Sequence, residues 1–247
     1  MAPTVYLVSG ANRGIGLGIV TALAMRPDVV VFAGTRNPAT SSDLSALETK
    51  YPDKVHTVKL NSADRADIDA AIAEIKRVVG KLDVIIANAG IAKYFGGIAD
   101  MPLDEIREHF EVNVVGPTVL FQSAWPLLKA SSKPEFVVIS SAAGSIAAGA
   151  ALPVGFFAYG VSKAGVNYLA MKLHSEHPEL VVVDIHPGPV QTDMGSFAQS
   201  QNPGLAGAVK FISVEESVTG IMKLVDYAKR DAEGPKMIGY DGFVFPW

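Results

Sequence analysis

Hydrophobic positions along this chain fall into two alternating rhythms. The run Thr4-Val5-Tyr6-Leu7-Val8 is apolar and β-branched with no polar alternation, and it stops at Ser9-Gly10, as a strand buried on both faces and closed by a tight turn would. Positions 15–25 then follow helical spacing. The same strand signal recurs at 29–33, 55–60, 82–87, 136–140, 180–185 and 237–240, with helical patterns at 42–50, 64–79, 103–128 and 157–177 between them. Seven strand runs separated by helices predict an α/β fold, a doubly wound parallel sheet with helices on both faces, formed as one domain over residues 1–247. Two segments carry no rhythm, 145–157 and 191–211, and the second is expected to act as a lid over a substrate.

Composition narrows the chemistry. Of 247 residues 49% are hydrophobic and 19% charged, so a large core is expected and disorder is excluded. The net charge of −4 offers no basic field for a phosphate backbone, which argues against a nucleic-acid partner. Without cysteine there is no thiolate nucleophile or thiolate metal ligand, so catalysis must use oxygen and nitrogen groups. His174 and His177 flank Glu176 on one helix, but no third ligand is suggested and no metal is expected. No apolar stretch is long enough to span a bilayer and no leader pattern opens the chain; the expectation is a cytoplasmic protein with no membrane partner.

Chemistry enters at Ser9-Gly10-Ala11-Asn12-Arg13-Gly14-Ile15-Gly16, where glycines leave the first strand and open the first helix. Gly10 and Gly14 permit unusual φ and close backbone approach, Gly16 lets the helix pack on the sheet, and the helix N-terminus offers free N–H groups to a pyrophosphate. The spacing G-x-x-x-G-x-G departs from the G-x-G-x-x-G dinucleotide fingerprint, and a merely tight strand-to-helix turn is the competing explanation. Tyr159 and Lys163 are four apart on a predicted helix, so their side chains leave one face and can meet. An ammonium beside a phenol favours its ionised form and would bring its proton affinity toward neutrality. Downstream of the second strand, Arg36 and the loop's Arg13 are two cations, with no acid, where a ribose 2′-phosphate would sit; this favours NADPH over NADH.

Together with Asn88-Ala89-Gly90, Asn113, Ser141 and Tyr159-Gly160-Val161-Ser162-Lys163, the glycine spacing resembles the classical short-chain dehydrogenase/reductases over nearly the whole chain. Within that family the opening Gly-Ala-Asn-Arg-Gly-Ile-Gly and the ending Tyr240-Asp241-Gly242 to Pro246-Trp247 are most similar to fungal carbonyl reductases related to norsolorinic acid ketoreductase. The resemblance implies strand order 3-2-1-4-5-6-7 and NADP(H) held by Gly10, Asn12, Arg13, Gly14, Ile15, Gly16, Arg36, Asn61, Asn88, Ala89, Gly90, Tyr159, Lys163, Pro187, Gly188, Val190 and Thr192. It implies that Tyr159 protonates a carbonyl oxygen that Ser141 holds, Ser140 being a floor residue, while Lys163 also binds the nicotinamide ribose. Asn113, four residues before Pro117, would hold through its main-chain carbonyl a water linking Lys163 to solvent.

For substrate, an apolar and aromatic rim of Tyr94, Phe95, Ile146, Phe156, Phe157, Val190, Met194 and Phe197, with Trp247 nearby, predicts a small apolar or aromatic ketone reduced to its alcohol, with the reverse oxidation open to the same residues. Leu152, Pro153 and Val154 are expected in the same hydrophobic wall. Helices 103–128 and 157–177 resemble the family's subunit interface, implying a homodimer or homotetramer. The competing function is a regulatory sensor that binds NADPH without turnover.

Overall fold

The computed structural model describes residues 2–152, 154–202 and 209–247. Thr4–Val8 (β1), Val29–Thr35 (β2), Val55–Lys59 (β3), Val84–Ala87 (β4), Glu135–Ile139 (β5), Val181–His186 (β6) and Met237–Gly239 (β7) form a parallel sheet, and Val244–Phe245 (β8) adds an antiparallel edge. The order is β3-β2-β1-β4-β5-β6-β7-β8, so the expected order holds and the expected count of seven is one short. The missed strand is two residues long, too short to show a period, and reaches β7 through a turn in which Gly242 adopts φ +89°.

Because both faces are covered, the strands read as unbroken apolar runs; every residue of β2 and β5 is buried. Gly14–Ala24 (α1), Ser42–Lys50 (α2) and Val214–Asp226 (α8) cover one face, over a core that includes Val8, Ile19, Val31, Ile86 and Ile139. Arg65–Val78 (α3), Gly116–Leu128 (α5) and Phe157–Glu176 (α6) cover the other, over Leu7, Phe32, Ile68, Ile85 and Phe136. Asp64 begins α3 by accepting from Ala66 N (2.9 Å), which satisfies a donor the first turn would otherwise leave open. Order reverses between β1 and β4, and the crevice beyond their C-terminal ends is where such a sheet binds ligands.

The helical pattern expected over 103–128 is not one α-helix. Leu103–Phe110 (α4) passes into a π-turn at Glu111–Val115 and then into α5. Pro117 has no N–H for the carbonyl four residues earlier, and Gly116 N instead bonds Glu111 O, five residues back.

At the opposite end of the sheet, Glu135 starts β5 with 2% of its surface exposed and Oε1 unpartnered. Burial pushes its carboxyl up to about 7, against a partial pull from Lys133. A carboxyl whose folded value exceeds its unfolded one costs stability as pH rises from the unfolded toward the folded value, here up to ~3 kcal/mol. Glu135→Gln should therefore raise Tm by several degrees at pH 8 and little at pH 4. An equal shift at both pH values in a thermal melt would contradict this origin.

Candidate active site

The glycine loop follows β1 into α1 as its residues require. Gly10 and Gly14 have φ of +64° and +54°, and a Cβ at Gly10 would lie 2.9 Å from Ala89 Cα. A Cβ at Gly16 would lie 2.3 Å from Gly10 O and 2.6 Å from Asn88 Nδ2, so this glycine lets α1 close onto the residues that leave the ends of β1 and β4. The turn after β4 clamps the loop: Asn88 Nδ2 donates to Ser9 O (2.9 Å) and Gly10 O (3.1 Å), while Asn88 N and Ala89 N donate to Ser9 Oγ. α1 has no side-chain cap and no acid in its first turn, so its N-terminal donors and partial positive charge point into the crevice. Asn12 and Ile15 line that crevice with the three glycines.

A cleft of about 440 Å³ runs from Arg36 and Asn61, beyond β2 and β3, past the glycine loop and Asn88-Ala89-Gly90 to Tyr159, Lys163, Pro187, Thr192 and Met194. Gly10, Gly14 and Gly16 leave space that side chains would fill, the α1 N-terminus supplies donors, and Arg36 supplies a cation, so this donor set fits a phosphorylated dinucleotide. Among the described residues Arg36 makes no ion pair, whereas Arg13 bonds Asp193 at 2.6 Å across the cleft mouth. Of the two cations expected for a phosphate, only Arg36 stands uncommitted. Val190 does not line this cleft; it is 5% exposed and bridges Ile212. Gly188 (φ +84°) lies against Ile212 and Tyr240, which leaves Pro187 to reach the cleft from that turn. Thr192 caps Asp193–Gln201 (α7) by accepting from Gly195 N (3.2 Å).

Tyr159 and Lys163 leave α6 on one face as their spacing predicts, with Lys163 Nζ 5.7 Å from the Tyr159 ring centroid. Lys163 is 5% exposed and donates to Ile139 O (2.7 Å). Burial lowers its ammonium to about 8 while Asp184 pulls the other way. Desolvation raises the Tyr159 phenol above its ordinary value and the Ser141 hydroxyl draws it partly back, so the expected lowering by Lys163 is overturned: burial wins.

Ser141 begins the turn after β5, where its Oγ accepts from Ala143 N (3.2 Å) and lies beside the phenol. Ser140, on the other side of the strand, is 1% exposed and bonded to Asn167, which agrees with a floor role. Asn113 is 1% exposed; its amide bonds both Ile91 N (2.8 Å) and Ile91 O (3.0 Å) and donates to Ser162 Oγ (2.9 Å). Its side chain thus ties the π-turn to the β4 turn and to α6.

Substrate-side residues are brought together only in part. Phe95 and Phe197 meet edge to face with centroids 5.8 Å apart, and Phe156 forms a bridge with Gly96. Met194 lines the cleft. Tyr94 folds back toward Gly97 O (3.5 Å), Phe157 is 38% exposed at the start of α6, and Ile146 is 75% exposed. The 145–150 loop is fastened to the chain end: Ser145 Oγ donates to Pro246 O (2.7 Å) and Ala147 N to Trp247 O (3.0 Å). Pro153 and positions 203–208 of the expected lid lie outside the described residues. The sequence reading missed Asn167 and Asp184 behind Lys163. Asn167 lies four positions after Lys163, and Asp184 is the one acid in an apolar strand, so signals for both were present.

A doubly wound sheet with a phosphate-accepting glycine loop and a Ser-Tyr-Lys group at one crevice defines a nucleotide-dependent oxidoreductase. The family model described as short chain dehydrogenase matches residues 4–203. Norsolorinic acid ketoreductase of Aspergillus parasiticus is 38% identical over 255 residues, 99% of this chain and 91% of that protein. The short chain dehydrogenase gsfK of Penicillium aethiopicum is 36% identical over 99% of this chain and all of its own length (100%). The NADPH-bound carbonyl reductase from chicken fatty liver superposes with a TM-score of 0.87 at 31% identity, covering 100% of both chains. The chain belongs to the short chain dehydrogenase family and is an oxidoreductase of the carbonyl and alcohol pair. No helix among the described residues is long and apolar enough to cross a membrane.

Proposed function

We infer that this protein reduces the ketone of an apolar, aromatic small molecule to the alcohol with NADPH. The observation that carries the reading is that Tyr159 and Lys163 line one end of a cleft whose other end is the glycine loop and Arg36, with Ser141 beside the Tyr159 phenol. When bound there, the dihydronicotinamide supplies a hydride. Ser141 donates a hydrogen bond to the carbonyl oxygen and orients it toward the phenol, and Tyr159 gives that oxygen its proton. A raised phenol suits this direction, because at neutral pH Tyr159 holds the proton it must deliver. Lys163 sets the local positive charge and reaches the ribose hydroxyls; the Asn113 carbonyl, whose α-type donor is missing at Pro117, holds the water that returns a proton to this group. Phe95, Phe197 and Met194 give the apolar surface for the substrate, the last two from α7 in the described part of the expected lid.

We read residues 1–247 as one catalytic domain that works as a homodimer or homotetramer in the cytoplasm. Val115 and Tyr168, 40% and 70% exposed on the paired helices, support the association, which light scattering checks as a mass of two or four chains. The decisive assay follows nicotinamide absorbance against aromatic ketones, quinones and aliphatic ketones. NADPH should be consumed with aromatic ketones and NADH hardly at all. NADPH binding without turnover of any carbonyl would return the protein to the sensor class.

A further inference from the structure

Behind the Ser-Tyr-Lys group lies a buried acid that the reaction as described does not use. Asp184 sits in the middle of β6 with none of its surface exposed (0%), and its Oδ1 has no hydrogen-bond partner. It occupies the sheet face that Val182 shares, the face covered by α6, and its strand neighbours in register are Val138 and Met237. A buried carboxyl in such a place is costly unless it is hydrogen-bonded or paired. An apolar residue would satisfy the packing equally well, as Val182 does two residues back on the same face.

One side chain connects this acid to the reacting group. With the Asn167 amide turned so that its nitrogen faces acceptors, that nitrogen lies 3.1 Å from Asp184 Oδ2, 2.9 Å from the main-chain carbonyl of Lys163, and within bonding distance of Ser140 Oγ. Asp184, Asn167, Ser140 and the backbone of Lys163 therefore form one continuous buried network from β6 through α6 to β5. Lys163 makes no ion pair among the described residues; its Nζ donates to Ile139 O, and Asp184 acts on it through space. Among the described residues the titratable group that acts on the acid is Lys163 from α6, and His186 lies two residues along its own strand. His186 is held neutral by burial, down to about 4, with its Nδ1 accepting from Ala142 N. β5 presents Phe136 and Val138 on that face, and β7 (Met237–Gly239) has no ionisable residue.

We propose that Asp184 is a positioning residue for the reduction: through Asn167 it holds the α6 backbone at Lys163 in place, and above neutral pH, once ionised, it is the buried counter-charge that keeps Lys163 protonated beside Tyr159. Burial alone drives an ammonium to shed its proton; a neighbouring carboxyl that yields its own proton first lets the lysine keep its charge to higher pH. Burial raises Asp184 to about 8, so the carboxyl is largely neutral at pH 7 and becomes a counter-charge as pH rises into the range where Lys163 would otherwise lose its proton. The inference rests on the reading of Tyr159 and Lys163 as the proton-delivering pair.

The test compares kcat/KM for ketone and NADPH from pH 6 to 10 in wild type, Asp184→Asn and Asp184→Ala, with Tyr159→Phe alongside and thermal melts of all four. Loss of the counter-charge should move the alkaline limb of both Asp184 variants about 1 unit toward acid. Activity near pH 6 should be largely retained, and Tm should be unchanged or higher in Asp184→Asn. A limb that superposes on wild type, with activity lowered equally at every pH, would make Asp184 a packing residue and overturn the proposal. Failure of both variants to fold would do the same. Turnover by Tyr159→Phe at the wild-type rate would instead sink the reading of the pair.

Discussion

The Tyr159→Phe enzyme is expected to bind NADPH as wild type does and to turn over ketone ~10²–10⁴-fold more slowly, the range a positioned general acid supplies. The substitution removes one oxygen and leaves the ring, which is half-buried on α6 and stacks no other aromatic among the described residues, so packing is preserved. Ser141 then loses the phenol beside it, yet its Oγ still accepts from Ala143 N and keeps the turn in place. The loss should fall on kcat, with little change in KM for either substrate, because the phenol's proton is delivered only in the transition state. The pH profile gives a second check. Tyr159 is pushed up by burial and Lys163 down to about 8, so the wild-type alkaline limb should follow the lysine. Stopped-flow binding of NADPH and steady-state rates decide the matter together: a variant that loses nucleotide binding and rate in parallel would place Tyr159 in the cofactor site alone.

Arg36→Ala should raise KM for NADPH ~10- to 100-fold while leaving KM for NADH within about twofold, on the scale of 1.5 to 3 kcal/mol for hydrogen bonds to a charged group. Arg36 is exposed just past β2, lines the adenosine end of the cleft, and spends its charge on no acid among the described residues. Arg13 cannot substitute fully, because Asp193 holds its guanidinium at 2.6 Å. Discrimination by a single fork also makes the effect salt-sensitive, since Arg36 is open to solvent. Equal losses with both nucleotides would assign Arg36 to the loop's geometry and leave the 2′-phosphate without its partner.

Elements with a strong local rhythm are legible in the sequence itself. β1, β2 and β6 are apolar runs bounded by turn residues, and the glycine loop falls where a strand ends and a helix begins. Tyr159 and Lys163 share a face because 3.6 residues per turn dictate it. Each of these is a statement about neighbours in sequence. The two-residue β8 and the π-turn at Glu111–Val115 were not legible: the first is too short for a period, and the second shifts a helix by one residue without disturbing its apolar pattern. The 180-residue separation between Arg13 and Asp193 likewise leaves no local trace.

The chain's own order of residues determined the alternation of strand and helix, the family's motifs and the types of group available for catalysis, since backbone geometry and side-chain chemistry act over a few positions. Tertiary structure decided how those groups behave. It buried Lys163 and half-buried Tyr159, and the desolvation reversed the direction in which the phenol was expected to shift. It turned Ser140 inward and left Ser141 beside the phenol, and it set Asp184 of β6 behind Lys163 of α6 with Asn167 bonded to both. Proton affinity depends on desolvation and on charges brought close by the fold, and both are properties of three-dimensional packing that no spacing along the chain encodes.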